Sequence, residues 1–425
     1  MSNAIPEGWN DEPLSHFCKG IRGVSYKPDD LSIMVSENTV TLLRSNNIQE
    51  SGLVLADVQH VNKAKVRPVQ LAKSKDIAVC MSNGSKRLVG KSSSFQEIPN
   101  TGKYTVGAFC SIFRPTKYTH PDFVRQLFNS NQYIQQVGLS LAGSAINNLK
   151  NSDVEEYRFL SPPLPEQKKI ASILTSVDEV IEKTESQIAK LQDLKTGMMQ
   201  ELLTKGIGHT GFKDFQVVRI PTGWEILTLK DIVQSIKSGL SRRIVSQDIG
   251  IPVLISGNIQ KNLLDTKELK FWYLEDPQGA KTENYMLEDG DILLCFINSV
   301  SQIGKSCIYR DIGRPAIYTT NMFRIVAKSD YASEYIHLLL TTPYFREQIQ
   351  LITKPAVNQA SFTKADLELI PIAVPPKIER EKITKAILSV DCKLKKSNRI
   401  LKQYVNLKQA LMQDLLTGKV RVKPD

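Results

Sequence analysis

Pro163-Leu164-Pro165-Glu166-Gln167-Lys168-Lys169-Ile170 opens a stretch, 163–204, that returns without a gap as 376–417, a shift of 213 residues. Ser176-Val177-Asp178 returns as Ser389-Val390-Asp391, Met199-Gln200 as Met412-Gln413, and Leu202-Leu203-Thr204 as Leu415-Leu416-Thr417. Apolar residues fall at Ile170, Leu174, Val177, Ile181, Ile188, Leu191, Leu194, Met198 and Leu202. In the second copy they fall at Ile383, Ile387, Val390, Leu394, Leu401, Tyr404, Leu407, Leu411 and Leu415. Steps of three and four are those of a helix with one apolar stripe. One rung is polar in both copies, Thr184 and Ser397. Pro162-Pro163 and Pro375-Pro376 stand where a helix can begin, and Gly206 and Gly418 where it can end. Some forty residues at ~1.5 Å each make a rod of about 60 Å.

So long a stripe needs a cover, and the other helix is the economical one. The first stretch is acidic near its middle (Glu179, Glu182, Glu185) and the second basic (Lys393, Lys395, Lys396, Arg399). Antiparallel pairing would bring these middles together. The residues expected at the pairing and docking face are Gln167, Leu174, Val177, Ile181, Ile387, Val390 and Leu394. Packing of each helix on its own module is the competing arrangement.

Weaker echoes precede each helix in the same order. Ile5-Pro6-Glu7-Gly8-Trp9 returns as Ile220-Pro221-Thr222-Gly223-Trp224, and Asn47-Ile48-Gln49 as Asn258-Ile259-Gln260. Asp76-Ile77-Ala78-Val79-Cys80 returns as Asp291-Ile292-Leu293-Leu294-Cys295, and Gly90-Lys91-Ser92 as Gly304-Lys305-Ser306. The chain therefore reads module, helix, module, helix. The boundaries are 1–161, 162–206, 207–374 and 375–425, the last including a C-terminal tail. Each module mixes β-rich runs (Gly290 to Ile297, Asn321 to Val326) with amphipathic helical ones (Asp122 to Asn129, Ser333 to Leu340), so the fold class is α+β. Outside the echoes the modules diverge, as expected if each reads something different.

Lysine and arginine outnumber aspartate and glutamate by 55 to 44, a net charge of +11 in 425 residues. That favours a polyanionic partner, although a mildly basic cytosolic protein would look the same. The six cysteines form no C-x-x-C pair and lie at no metal-ligand spacing from the five histidines. They read as buried free thiols in a reducing compartment. No apolar run reaches membrane-spanning length and no signal peptide is visible, so the expected location is the cytoplasm, with no membrane partner. Met1-Ser2-Asn3-Ala4 reads in part as a cloning scar.

Most catalytic signatures are absent or broken. Gly84-Ser85-Lys86-Arg87-Leu88-Val89-Gly90-Lys91-Ser92 has five residues between its glycines where a P-loop has four, and Ser299 stands at the first glycine's place in the second module. Asp248 with Glu268-Leu269-Lys270 faintly resembles a nuclease acidic pair, but the first module has no equivalent and solvated surface is the simpler reading. No G-x-S-x-G, H-E-x-x-H, dinucleotide fingerprint or amino-methyltransferase signature is present. Basic residues in loops remain: Lys63, Lys65 and Arg67, then Lys86, Arg87 and Lys91 in the first module. In the second they are Arg242, Arg243 and Lys305, with Asn298 and Gln302 beside the last. Arginine pairs with guanine and asparagine or glutamine with adenine in the major groove, while lysine meets phosphate. Singly, each also reads as solubilising surface.

With the repeat established, the chain resembles the specificity subunits of type I restriction–modification systems along nearly its full length. The resemblance rests on I-P-x-G-W opening each half, on Gly290-Asp291-Ile292-Leu293-Leu294, and above all on Pro163 to Ile170 with the later Val177-Asp178. The second copy keeps Glu379 and Ile383 but loses the glutamine, so contacts made through Gln167 stand without an evident twin. The resemblance implies two target-recognition domains reading the halves of a split, asymmetric site in double-stranded DNA. It implies two long antiparallel helices as a coiled-coil spacer and pseudo-twofold axis. Two modification subunits and the restriction (translocase) subunits would be the protein partners. It implies no cofactor and no metal on this chain; S-adenosylmethionine, ATP and Mg are expected on the partners. The rival from another class is a coiled-coil adaptor that binds proteins only. A nuclease working through Asp248 and Glu268 would need metal-dependent cutting by the isolated chain.

Overall fold

The computed structural model describes residues 5–49, 52–95, 103–142, 147–216, 218–356 and 359–424. The segment Met1–Ala4, read above as a scar, lies outside the described residues. The chain falls into two compact units, 1–186 with 398–425, and 187–397. Both boundaries fall inside long helices, Leu164–Leu202 and Lys377–Leu416. Each unit therefore holds one module, the start of one long helix and the end of the other.

In the first unit an antiparallel sheet has the spatial order Cys18–Arg22, Cys110–Pro115, Ile77–Cys80, Ser92–Ser94. A second sheet sets Thr39–Leu43 between a parallel neighbour, Tyr104–Val106, and an antiparallel one, Gln59–Asn62, beyond which lies Leu31–Ser32. Asn10–Pro13 pairs with Arg158–Ser161, the strand that feeds the first long helix. The second unit repeats all three. Its first sheet runs Val233–Ser238, Met322–Ala327, Ile292–Cys295, Ser306–Ile308. Ile251–Leu254 lies between parallel Ile317–Tyr318 and antiparallel Lys270–Trp272. Glu225–Thr228 pairs with Pro371–Val374 before the second long helix. The mixed α/β content matches the expectation, and the helices expected at 122–129 and 333–340 form as Pro121–Phe128 and Ser333–Leu340.

Both Gly-Lys-Ser echoes mark one backbone requirement. Gly90 and Gly304 adopt left-handed φ of 88° and 78°. A Cβ at Gly90 would stand 2.6 Å from Val137 Cγ1, and one at Gly304 3.1 Å from Ile349 Cγ2. Only glycine turns the chain here while a helix packs this close. The segment then enters a strand, Ser92–Ser94, not the helix a phosphate-binding loop requires. The Asn-Ile-Gln echo is equally structural. Asn47 and Asn258 are buried, and each amide donates twice to loop carbonyls, Val54 and Ala56 in one case, Asp265 and Glu268 in the other.

The long helices pack antiparallel within each unit. In the first, Ile170, Ala171 and Leu174 share a core with Met412, Leu415 and Leu416 of the other helix. In the second, Ile383 and Ile387 share a core with Leu203. Charge joins the helices at the repeated aspartates as well. Asp178–Lys408 in the first unit and Asp391–Lys195 in the second are ion pairs from helix to helix, both at 2.6 Å. These are the aspartates of the repeated Val-Asp, and Lys195 and Lys408 are themselves repeat mates. Glu179, Glu185, Lys393, Lys395, Lys396 and Arg399 are exposed. Two rungs of the expected stripe depart from it: Leu194 and Leu407, again repeat mates, are 50% and 46% exposed. Five cysteines are buried as expected; Cys392 is exposed.

Candidate nucleic-acid interface

Each module is fastened to the helices by the residues that open its repeat. The turn at Pro6 delivers Trp9, whose indole N–H donates to Glu166 Oε2 at 2.9 Å. Trp224 does the same to Glu379 Oε2 at 3.2 Å. Glu166 and Glu379 are matched positions at the starts of the two long helices. The tail after the second helix returns Arg421 to Glu166 as a bidentate partner, both bonds at 2.8 Å. The segment after the first helix returns His209 Nε2 to Glu379 Oε1 at 2.8 Å. Burial would raise the Glu166 carboxyl, but hydrogen bonds from Arg421 and Trp9 outweigh it and hold the group below the usual glutamate range.

Gln167 is buried, its Oε1 accepting the His120 N–H and its Nε2 donating to the Pro162 carbonyl. Its place in the second copy is not empty. Arg380 donates to the Asp330 carbonyl at 2.8 Å and lies 4.1 Å over the Tyr331 ring. Leu174 and Ile387 are fully buried, Val177 and Val390 nearly so, and Ile181 and Leu394 half-buried.

The loop candidates of the first module separate into two groups. Lys63 and Lys65 form the turn after strand Gln59–Asn62, and Arg67 follows. This turn lies at the Thr39 end of the central strand, because Thr39 pairs with Asn62. Lys86, Arg87 and Lys91 lie at the other end, where Asn83 Nδ2 donates to Ser45 Oγ at 3.2 Å and Lys91 Nζ reaches Gln49 Oε1 at 3.4 Å. The structure thus does not merge the six into one cluster. Lys65 is paired with Asp30 at 3.0 Å. Lys86 and Arg87 are exposed on a short turn and have no side-chain partner among the described residues.

The second module has the same two ends. Arg242 and Arg243 precede Ile251–Leu254, on the side matched to Thr39. Arg242 is committed to Asp276 at 2.8 Å, whereas Arg243 is exposed. Asn298, Gln302 and Lys305 share the loop at the other end, and Lys305 Nζ donates to the Ile259 carbonyl at 3.2 Å. Lys91 and Lys305 therefore do the same work in both copies, tying the Gly-Lys loop to the Asn-Ile-Gln turn. Asn83 was not singled out from the sequence, although it stands three residues after Cys80 as Asn298 stands three after Cys295. That offset was the available signal.

Asp248 is engaged by Arg314 at 2.7 Å, and this hydrogen bond holds its carboxyl below the ordinary range. Lys270 Nζ donates to Ser246 Oγ. Among the described residues no three His, Cys, Asp or Glu side chains converge as a metal site would need, and no helix is long and apolar enough to cross a membrane.

The profile of the type I restriction modification DNA specificity domain matches residues 84–193 and 221–405. The chain is 25% identical over 425 residues to the EcoKI specificity subunit of Escherichia coli K12, covering 98% of this chain and 90% of that protein. It is 24% identical over 432 residues to the StySPI specificity subunit of Salmonella potsdam, with the same coverage. Its fold is similar to the type I restriction-modification S subunit from M. genitalium, with TM-score 0.58 and 13% identity, covering 98% of this chain and 97% of that one. A chain from a type I R-M system studied for complex assembly and conformational transition gives TM-score 0.56 at 14% identity, covering 98% of this chain and all of that one. With the matched profile spanning well over half its length in both modules, the chain belongs to the type I restriction modification DNA specificity domain family.

Proposed function

We propose that this chain supplies DNA sequence specificity to a type I restriction–modification complex and carries no catalytic centre of its own. Residues 1–161 and 207–374 act as two target-recognition domains, each reading one half of a bipartite, asymmetric site. The helices within 162–206 and 375–425 act as an antiparallel spacer and offer docking surface to two modification subunits and to restriction subunits. S-adenosylmethionine, ATP and Mg belong to those partners, and the work is done in the cytoplasm. One observation carries the reading: two modules with the same three sheets and the same Trp–Glu fastening present different side chains in their loops. A duplicated frame with unlike loops suits a reader of two unlike half-sites, whereas identical dimeric readers recognise palindromes.

The exposed members of the loop sets outside ion pairs, Lys63, Arg67, Lys86, Arg87, Arg243 and Gln302, are the proposed DNA contacts, together with Asn298. Lys91, Lys305, Arg242 and Lys65 shape those loops through the bonds described above. Methylome sequencing of a host expressing this chain with its modification subunit tests the reading, with a split adenine-methylated motif as the expected result. Removing four residues from each long helix at matched positions should shorten the unread gap; an unaltered gap argues against the spacer role. A protein-only adaptor would show no salt-sensitive, sequence-selective DNA shift with or without the modification subunit.

A further inference from the structure

Three consecutive apolar side chains stand in solvent on the first module: Ile33 is 99% exposed, Met34 76% and Val35 74%. A run of this kind is unfavourable in water and marks a surface that something else covers. The run lies on the segment that leaves strand Leu31–Ser32 beside His60 and returns to enter the parallel strand Thr39–Leu43 beside Asn62, passing Gln59–Asn62, which separates the two. Both feet of the crossing are tied to one basic turn. Asp30, before it, holds Lys65 at 3.0 Å, and the Asn38 carbonyl, after it, accepts the Lys63 N–H at 2.9 Å. The apolar run thus lies between two points bonded to the turn that carries the exposed Lys63 and Lys65, with Arg67 after it. Of the nearby acids, Asp30 is spent on Lys65, while Asp29 and Glu37 face solvent.

The second module also exposes apolar side chains at the matched end of its sheet. Directly after strand Lys270–Trp272, where the first module has Lys63, stand Tyr273 and Leu274, 45% and 58% exposed. The Arg242–Asp276 pair at 2.8 Å brings the arginine loop against them, and Val245 bridges to Phe271. The second module thus also exposes apolar side chains near basic ones at this end of its sheet, but on another segment: the connection matched to 33–38 carries Gln247 and Asp248 instead.

Resting on the reading of the modules as DNA readers, we propose that Ile33, Met34 and Val35 form a wedge that presses on base pairs of the first module's half-site. The Lys63 turn meanwhile holds the adjoining phosphates. Apolar side chains meet the thymine methyl or part a flexible base step, and lysine fixes register without reading sequence. The lysine turn to which both ends of the run are bonded, with Arg67 after it, decides for a polyanionic duplex as occupant.

The test uses the chain assembled with its modification subunits, the site found by methylome sequencing, and 2-aminopurine placed in either half. Ile33→Ser, Met34→Ser and Val35→Ser combined alter only solvated positions, so folding, checked by thermal melting, should be kept. The combined variant should bind about ten- to a hundredfold more weakly. It should lose the fluorescence rise in one half alone. Its salt slope should be unchanged, because no phosphate contact is removed. Lys63→Ala should instead lower that slope by about one. Wild-type affinity and fluorescence in the combined variant overturn the wedge while the DNA reading stands. Loss of binding to phosphatidylglycerol vesicles with DNA binding intact overturns it in favour of a membrane. A wild-type complex without sequence selectivity overturns the functional reading and the wedge together.

Discussion

Glu166 and Glu379 occupy matched turns and accept the same tryptophan N–H, but their second partners differ: arginine in one module, histidine in the other. Glu166 sits below its ordinary pKa, so its contribution is complete above the unfolded value and is lost as the pH falls through the folded one. Glu166→Ala should lower the melting temperature of the first unit by about 5 °C at neutral pH, and that difference should shrink in acid; calorimetry across pH checks both. His337 also loses stability in acid, for a different reason. Burial lowers its pKa, with Asp391, Lys195, Glu334 and the Ser306 carbonyl as its polar surroundings. The unfolded chain then takes up the proton first, so stability is lost as the pH falls below the ordinary histidine range. His337→Gln should flatten the pH dependence of the second unit's unfolding between about pH 7 and 5. Gly90→Ala should cost roughly 2 kcal/mol in urea unfolding, from the left-handed backbone and the contact with Val137 together.

At the scale of the element, the two repeated aspartates separate in strength. Asp178 is nearly buried and takes hydrogen bonds or ion pairs from Gln126, Arg125 and Lys408 at 2.8, 3.2 and 2.6 Å. Asp391 and Lys195 keep 27% and 30% of their side-chain surface in solvent. A buried pair broken on one side leaves uncompensated charge, whereas a solvated pair is worth little. Asp178→Ala should therefore destabilise the first unit by roughly 3 kcal/mol. Asp391→Ala should cost the second less than about 1 kcal/mol. Equal losses in denaturant titrations would contradict this ranking. Glu179 and Lys395 in the middles of the helices are exposed, and water screens what such charges contribute.

At the scale of the whole molecule, duplication supplies one frame twice and frees the loops to differ. The first module places an apolar run and lysines where the second places arginines, an aromatic ring and a leucine. Exchanging residues 1–161 for the corresponding part of another family member should change one half of the methylated motif and leave the other intact, read by methylome sequencing. A change in both halves would mean that the modules do not read independently.

The repeat, the two helices, the α+β modules and the family followed from the sequence alone, because helical period and a gapless shift of 213 residues are local properties that survive divergence. The Trp–Glu fastening, the partner of each loop lysine and the exposed Ile33–Val35 tip did not. Trp9 and Glu166 are 157 residues apart, and Glu166 and Arg421 are 255 apart. Which side chains meet over such separations is set by the pairing of strands and helices. Whether an apolar residue is buried depends on what packs over it, and no pattern in its own segment states that.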